Sequence, residues 1–437
     1  MHTNIINKTY HLILNNKKFI NNSVWIIVEK LISIFGLIFI TSYVAKYIGP
    51  ENFGKLSYAI SIFTIIQTIS MLGTDTILFK RISKNKTSGI KLMLSTTKIR
   101  VILYGFISIA YITYSIYSTK DFITIIFTIS VALAYLFLSI DHFSIFYNAI
   151  LASKINVLFN IIGLIISLCI RYSIVFFELN IAYLSIPILL TTFIPYLLRY
   201  IFFYYTYNEI KKIKRNKNVY NSYLIKAGFP ISISNISIAI YAKVSQILLV
   251  TIISNYILGI FSVAYSLAYA WLFIPQAIIT SYFTKIYKLK TSSDIITYTS
   301  YLNIFIGVIS IFYLFFIYYL GDIIIFNLYG YEYMESSTIL FPLAITSVFS
   351  CLGIISYRYI IAFSGYSFLL KKMFITSILG VTLSYILIKD YGLKGAVISN
   401  LSIEFISLTI LNYFFRKKLV QKMHFRTLFF FLPRHKK

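Results

Sequence analysis

The sequence is poor in almost everything that a soluble enzyme uses. Two cysteines occur in 437 residues, Cys169 and Cys351, each inside a long apolar run. They provide neither a disulfide framework nor a thiolate metal site. The five histidines (His2, His11, His142, His424, His435) fall in the terminal segments or at a helix end, away from paired acids. No glycine-rich loop ending in Lys-Ser or Lys-Thr is present, so no P-loop nucleotidase is encoded. Asp and Glu number thirteen, and charged residues of both signs make up 12% of the chain. Soluble domains carry about 25%, and a mean hydropathy of +0.81 also excludes one. No catalytic constellation survives these absences. The expectation is a protein that is not an enzyme and holds neither metal nor cofactor.

What the chain has in abundance is apolar sequence, 59% of its residues. A helix needs about 20 predominantly apolar residues to cross the bilayer hydrocarbon. Twelve runs are read as such spans: 23–45, 56–79, 101–118, 122–140, 155–177, 181–204, 229–252, 259–282, 298–320, 338–357, 372–388 and 395–415. The forty Lys and Arg residues lie between the runs, almost always in every second gap. They cluster at 80–100, 208–228 and 416–437, whereas the other gaps hold most of the acids: Glu51, Asp121, Glu178, Asp322, Glu332, Glu335 and Asp390. Basic loops resist translocation. The alternation therefore puts both termini and 31 basic residues on the cytoplasmic side, five outside and four within the runs. Dispersal over seven short segments argues against nucleic-acid binding as the meaning of the +27 charge. Contact with anionic lipid headgroups accounts for most of it. The first run is too long for a signal-peptide core and is read as the first span. The 39 Tyr and 39 Phe residues are not, by number alone, a sugar-binding platform.

The basic gap 208–228 divides the runs into two sets of six. Gly54-Lys-Leu-Ser57-Tyr-Ala59-Ile-Ser61 and Gly259-Ile-Phe-Ser262-Val-Ala264-Tyr-Ser266 both read G-x-x-S-x-A-x-S, at a constant offset of 205. Each opens the second helix of its set. An even number of helices per half makes both halves enter from the same side, as in transporters built of parallel repeats. The expected fold is an all-α integral membrane protein with two six-helix lobes around a central cleft. The N-terminal lobe is assigned to 1–207, a basic cytoplasmic linker to 208–228, the C-terminal lobe to 229–415 and a basic tail to 416–437.

Five segments carry a family resemblance. YVAKYIGPENFGKLSYAIS (43–61) resembles the "ar.lGpe.fG.ya" junction of polysaccharide-export flippases, and LGTDTILFKRISK (72–84) resembles their second-helix exit. LGIFSVAYSLAYAWLFIPQAI (258–278), IIIFNLYGYEYMESSTIL (323–340) and YGLKGAVIS (391–399) are similar to later segments of the same proteins, in the same order. The chain thus resembles the Wzx-type O-antigen flippases of the multidrug/oligosaccharidyl-lipid/polysaccharide exporter superfamily. The resemblance implies movement of an undecaprenyl-diphosphate-linked oligosaccharide from the cytoplasmic to the periplasmic leaflet of a bacterial inner membrane. Polymerase and chain-length proteins of the same pathway would be its partners. Many relatives carry an acid in the seventh helix where this chain has Ser245, which puts ion coupling at that position in doubt.

A diphosphate cargo calls for cations within the spans, and gradient coupling calls for carboxylates. Ionisable residues cost several kcal/mol there unless paired or hydrated. Seven lie inside the runs, with Lys372 at the first position of the run 372–388 counted with the basic gap before it: Glu29, Lys30, Asp75, Arg171, Arg199, Lys243 and Glu404. Lys243 and Glu404 fall near mid-span and are read as cargo contact and ion-coupling group, or as a salt bridge to one another. Glu29 shares a small-and-polar helix face with Asn22, Ser33 and Gly36 and is the second coupling candidate. Asn235 and Gln246 mark a polar face of the seventh helix beside Lys243. Arg171 and Arg199 are candidate cationic cavity residues, Lys30 is read as snorkelling, and Asp75 as a structural ion pair near Lys80 and Arg81.

Two rival readings follow from the same residues. A repeat-unit polymerase or other membrane enzyme of surface polysaccharide synthesis matches in size, but the longest outer gap, 321–337, gives catalysis little room. A drug/cation antiporter of the same superfamily would favour acids in its cavity, and here basic residues outnumber them within the spans. A lipid II flippase, typically of fourteen helices, is set aside on the count of twelve.

Overall fold

A computed structural model describes residues 2–207, 217–287, 289 and 291–428, and before residue 38 the side chains of Trp25, Glu29 and Ile32. Regular structure among these residues is entirely helical. The helices are α1 (His2–Met71), α2 (Thr74–Lys84), α3 (Lys86–Ser118), α4 (Phe122–Ile140), α5 (His142–Ala149), α6 (Ser153–Phe176), α7 (Ser185–Thr206), α8 (Lys217–Ile252), α9 (Asn255–Ala270), α10 (Phe273–Ile286), α11 (Ser292–Tyr329), α12 (Glu335–Ala362), α13 (Tyr366–Leu408), α14 (Ile410–Tyr413) and α15 (Leu419–Leu428).

Nine helical stretches among the described residues are long and apolar enough to cross a membrane, or ten if α1 from Ile38 and α2, bent by 47° at their junction, count as one span. The difference from twelve runs has two sources. Runs 372–388 and 395–415 lie on one continuous stretch, Tyr366–Tyr413, interrupted at Gly392 by non-helical backbone (φ 57°, ψ −129°). The run 23–45 belongs to α1 ahead of a similar break at Gly49, and about half of its side chains lie outside the described ones. Lys30, Asn22 and Ser33 are among those outside. Positive φ suits glycine, which has no Cβ to clash, and in α1 Pro50 follows directly. Polar side chains start several helices: Asn85 caps α3, Asp121 caps α4, Ser254 caps α9 and Thr291 caps α11, each accepting from a first-turn backbone N–H.

The chain forms two compact units, 1–47 with 62–232, and 48–61 with 233–437. In the first, Ile77, Leu78, Met93, Phe143, Phe146, Phe203 and Leu224 share one buried core. In the second, Trp271, Phe283, Ile306, Cys351, Tyr359 and Phe415 do the same. Outward faces carry large exposed apolar residues such as Phe106 and Phe312, as expected where the solvent is lipid.

Segment 48–61 explains its own place in the second unit. A Cβ on Gly54 would lie 1.8 Å from the Asn255 carbonyl oxygen, and one on Gly259 would lie 2.0 Å from that of Pro50. The two backbones cross in direct contact, the close approach that small residues permit between membrane helices. Both glycines are the first residue of the repeated G-x-x-S-x-A-x-S motif, and Pro50 and Asn255 are also 205 apart. The repeat is therefore a pair of helices meeting at equivalent positions.

Residues 419–428, assigned by sequence to a basic tail, form α15 and pack into the second unit. Val420 and Met423 are fully buried, and Ser300 of α11 donates to the Met423 carbonyl at 3.2 Å. His424 shares hydrogen bonds with Ser356 and the Tyr413 hydroxyl, both 3.2 Å. Burial, reinforced by the charge of Lys372, lowers its pKa from 6.5 to about 4. A depressed histidine makes the unfolded chain bind more protons between those values. Stability from this group is thus complete above pH 6.5 and falls as pH drops toward about 4. Thermal unfolding of the purified protein across that window should show the loss, and His424→Gln should flatten it.

Candidate functional site

Each unit contains a polar cluster embedded among apolar helices. In the first, Asp141 stands between α4 and α5, capping α5 through Ser144 N–H at 3.3 Å. Arg199 of α7 donates to its carboxylate through Nε at 2.8 Å and through Nη2. Both residues are buried, at 4% and 7% exposure for Arg199 and Asp141. Arg199 Nη1 also donates to Asn160 Oδ1 of α6 at 2.7 Å, and Asn160 Nδ2 donates to Glu29 Oε1 of α1 at 2.6 Å. The result is a chain of carboxylate, amide, guanidinium and carboxylate. A buried charge stays in place only when paired and hydrogen-bonded, and each interior member here is held from both sides. Glu29 and Arg199, assigned separate roles by sequence, are joined through Asn160.

A second buried cation in this unit is Arg100 of α3, fully buried and hydrogen-bonded to His142. Asp75 on α2 interacts electrostatically with Arg100. Among the described residues Asp75 forms no salt bridge with Lys80 or Arg81. Arg171 is half-buried on α6 and makes no hydrogen bond with the described side chains.

The second unit's cluster is built from α8, α13 and the end of segment 48–61. Gln246 is buried and accepts from Ser61 at 2.5 Å and from Lys243 Nζ at 3.0 Å. Ser245 donates to Asn400 Oδ1 at 2.7 Å and shares a hydrogen bond with Ser384, which in turn donates to Ser399. Asn235 lies half-buried three turns earlier on α8. Glu404 accepts from the Tyr241 hydroxyl. The buried Lys372 acts on Glu404 electrostatically, and the carboxylate in turn lies within electrostatic reach of Tyr265 and Tyr269, whose rings stack with centroids 4.3 Å apart. Lys243 and Glu404 form no salt bridge with each other; each has its own partners.

Sequence reasoning misses Asp141, Asn160, Lys372 and the tyrosines around Glu404. Lys372 stands at the very edge of a run and reads with the gap. Tyr265 and Tyr269 do carry a signal, their i, i+4 spacing. Asp141 carries another, a capping position three residues before Ser144.

An all-helical chain with nine or ten stretches of membrane-crossing length among its described residues is a multi-pass membrane protein. The inward-facing structure of a multidrug resistance MATE family transporter of the MOP superfamily matches 91% of this chain and 99% of its own, with a TM-score of 0.70 and 14% identity. The lipid II flippase MurJ, inward closed, matches 96% of this chain and 94% of its own, with a TM-score of 0.66 and 16% identity. The model of the polysaccharide biosynthesis protein family covers residues 19–287, and the chain belongs to that family. Among curated proteins, capsular polysaccharide biosynthesis protein CapF of Staphylococcus aureus is 29% identical over 195 residues, 43% of this chain. That match spans about half of CapF, 48% of its length. The family expected from the five sequence segments is the family found.

Proposed function

We propose that the chain is a flippase of the bacterial inner membrane. It carries an undecaprenyl-diphosphate-linked oligosaccharide from the cytoplasmic to the periplasmic leaflet by alternating access, with an ion gradient as the driving force. The observation that carries this reading is membership of a polysaccharide biosynthesis family on a fold shared with a lipid II flippase. In this reading Lys243, Arg171, Asn235 and Gln246 contact the cargo. Arg199, already committed to Asp141, positions Glu29 through Asn160. Glu29 and Glu404 exchange the coupling ion, Glu404 with a tyrosine hydroxyl on its carboxylate.

Depletion of the protein, followed by leaflet assignment of the lipid-linked repeat, tests the reading. The repeat should collect on the cytoplasmic side, and normal periplasmic levels would refute a flippase. Glu404→Gln should slow gradient-driven translocation about tenfold or more, equivalent to about 1.4 kcal/mol in a rate-limiting barrier. Unchanged dependence on proton and Na⁺ gradients in both Glu29→Gln and Glu404→Gln would remove the coupling role. The fold likeness to a multidrug transporter sustains one alternative, a drug/cation antiporter. It predicts altered drug susceptibility on depletion with the glycan distribution intact.

A further inference from the structure

We propose that the second unit binds a lipid-borne phosphate in a cavity between α10 and α12. The cavity is about 380 Å³ and is lined by Gln276 and Thr280 of α10 and by Ile354, Tyr357, Arg358 and Ile361 of α12. The α12 residues recur at helical intervals and so form one face. Arg358 Nη2 donates to Thr280 Oγ1 at 3.0 Å, while the Thr280 hydroxyl donates to the Gln276 carbonyl at 2.7 Å. That arrangement fixes the guanidinium at the cavity wall, where it also meets the Tyr287 hydroxyl, and leaves further N–H donors of its five for a ligand. No carboxylate among the described residues pairs with Arg358, and none lines the cavity. A cation near the end of a span, without an acid, calls for an anion.

The position selects the kind of anion. Thr280 lies three residues before the end of the span Asn255–Phe283, and Arg358 four before the end of Glu335–Ala362. At about 1.5 Å per residue both are about 5 Å inside the ends of stretches of 29 and 28 residues, which at about 42 Å exceed the ~30 Å hydrocarbon and so bring this level to its boundary with the headgroups. The exposed Lys285 follows on the last turn of α10 and adds positive charge on the same side. Ile354 and Ile361 supply an apolar wall for the tail. The ligand chemistry is therefore a phosphate joined to a hydrocarbon, and a planar guanidinium is suited to grip it by two oxygens. A second cavity of about 300 Å³, beside the starts of α9 and α12, is lined by both Glu335 and Lys394. Its balanced charge gives no such preference.

Two molecules present this chemistry: a bilayer phospholipid and the prenyl diphosphate end of the proposed cargo. Only the second rests on the flippase reading. The test is ligand-induced thermal shift of the full chain in detergent, titrated with short-chain phosphatidylglycerol, with farnesyl diphosphate and with a phosphate-free monoacylglycerol. At least one phosphate ligand should bind, and the monoacylglycerol should not. Arg358→Gln should weaken that binding about tenfold, with Arg358→Lys intermediate because it keeps the charge without the fork. Gln276→Leu, which leaves Arg358 in place, should weaken it about threefold. This second variant keeps the proposal testable if the arginine variant does not fold. Binding of phosphatidylglycerol alone assigns the site to bilayer lipid, and binding of farnesyl diphosphate alone assigns it to the cargo. Equal binding of the monoacylglycerol overturns the proposal. So does failure of both phosphate ligands, or affinity within about twofold of wild type in both Arg358→Gln and Gln276→Leu. The leaflet assay tests the flippase reading independently of these outcomes.

Discussion

Arg199→Met, with Asp141 left in place, should destabilise the first unit by about 3 kcal/mol or more, because it strands a buried carboxylate. Asp141 is 7% exposed and takes two donors from Arg199. Without them its carboxylate keeps the first-turn N–H of Ser144, a single donor at 3.3 Å. The double variant Arg199→Met/Asp141→Leu removes both charges and should recover most of the loss. Recovery should fall short by about 1 kcal/mol, since leucine cannot cap α5. Thermal unfolding of these proteins, with wild type and Asp141→Leu alone, completes the cycle. Equal stability of the single and double variants would show that the ion pair does not anchor this unit. Translocation should stay impaired in the double variant, because Asn160 then lacks the donor that orients it toward Glu29.

Gly54→Val and Gly259→Val should each prevent accumulation of folded protein, and the corresponding alanines should cost about 3 kcal/mol or more, the upper range for overpacking. The obstacle is not a movable side chain. Cβ atoms at these positions would stand 1.8 Å and 2.0 Å from main-chain oxygens of Asn255 and Pro50, so a helix must shift. Gly105, Gly307 and Gly353 are the controls, because a Cβ there meets nothing within 4 Å. Alanine at those helical positions should be neutral or stabilising by about 0.5–1 kcal/mol. Yield and melting temperature in detergent separate the two groups. Similar tolerance in both would mean that the crossing does not depend on bare backbone.

The helices and the family are legible because they are written in local sequence. Apolar runs of membrane length need no tertiary information, and the segments 43–61 and 258–278 carry the family's punctuation in their glycines. The repeated motif is legible as a repeat, but its meaning as a contact is not. That requires knowing that residue 54 faces residue 255. The polar clusters are half legible. Glu29, Arg199, Lys243 and Glu404 stand out because ionisable groups are rare within spans. Their partners do not, because an asparagine or tyrosine is ordinary in sequence until folding brings it near a charge. Asn160 and Glu29 are 131 residues apart, and Tyr241 and Glu404 are 163 apart. Lys372 escapes for a different reason: a lysine at the edge of an apolar run reads as an interfacial anchor, yet it is 3% exposed.

The crossing at Gly54 and Gly259 has the form of an isologous interface. In a two-fold dimer, residue i of one subunit meets residue j of the other, and j meets i. Here Gly54 meets Asn255 while Gly259 meets Pro50, and each pair is the other displaced by 205 positions. The crossing is thus one self-complementary surface presented twice within a single chain.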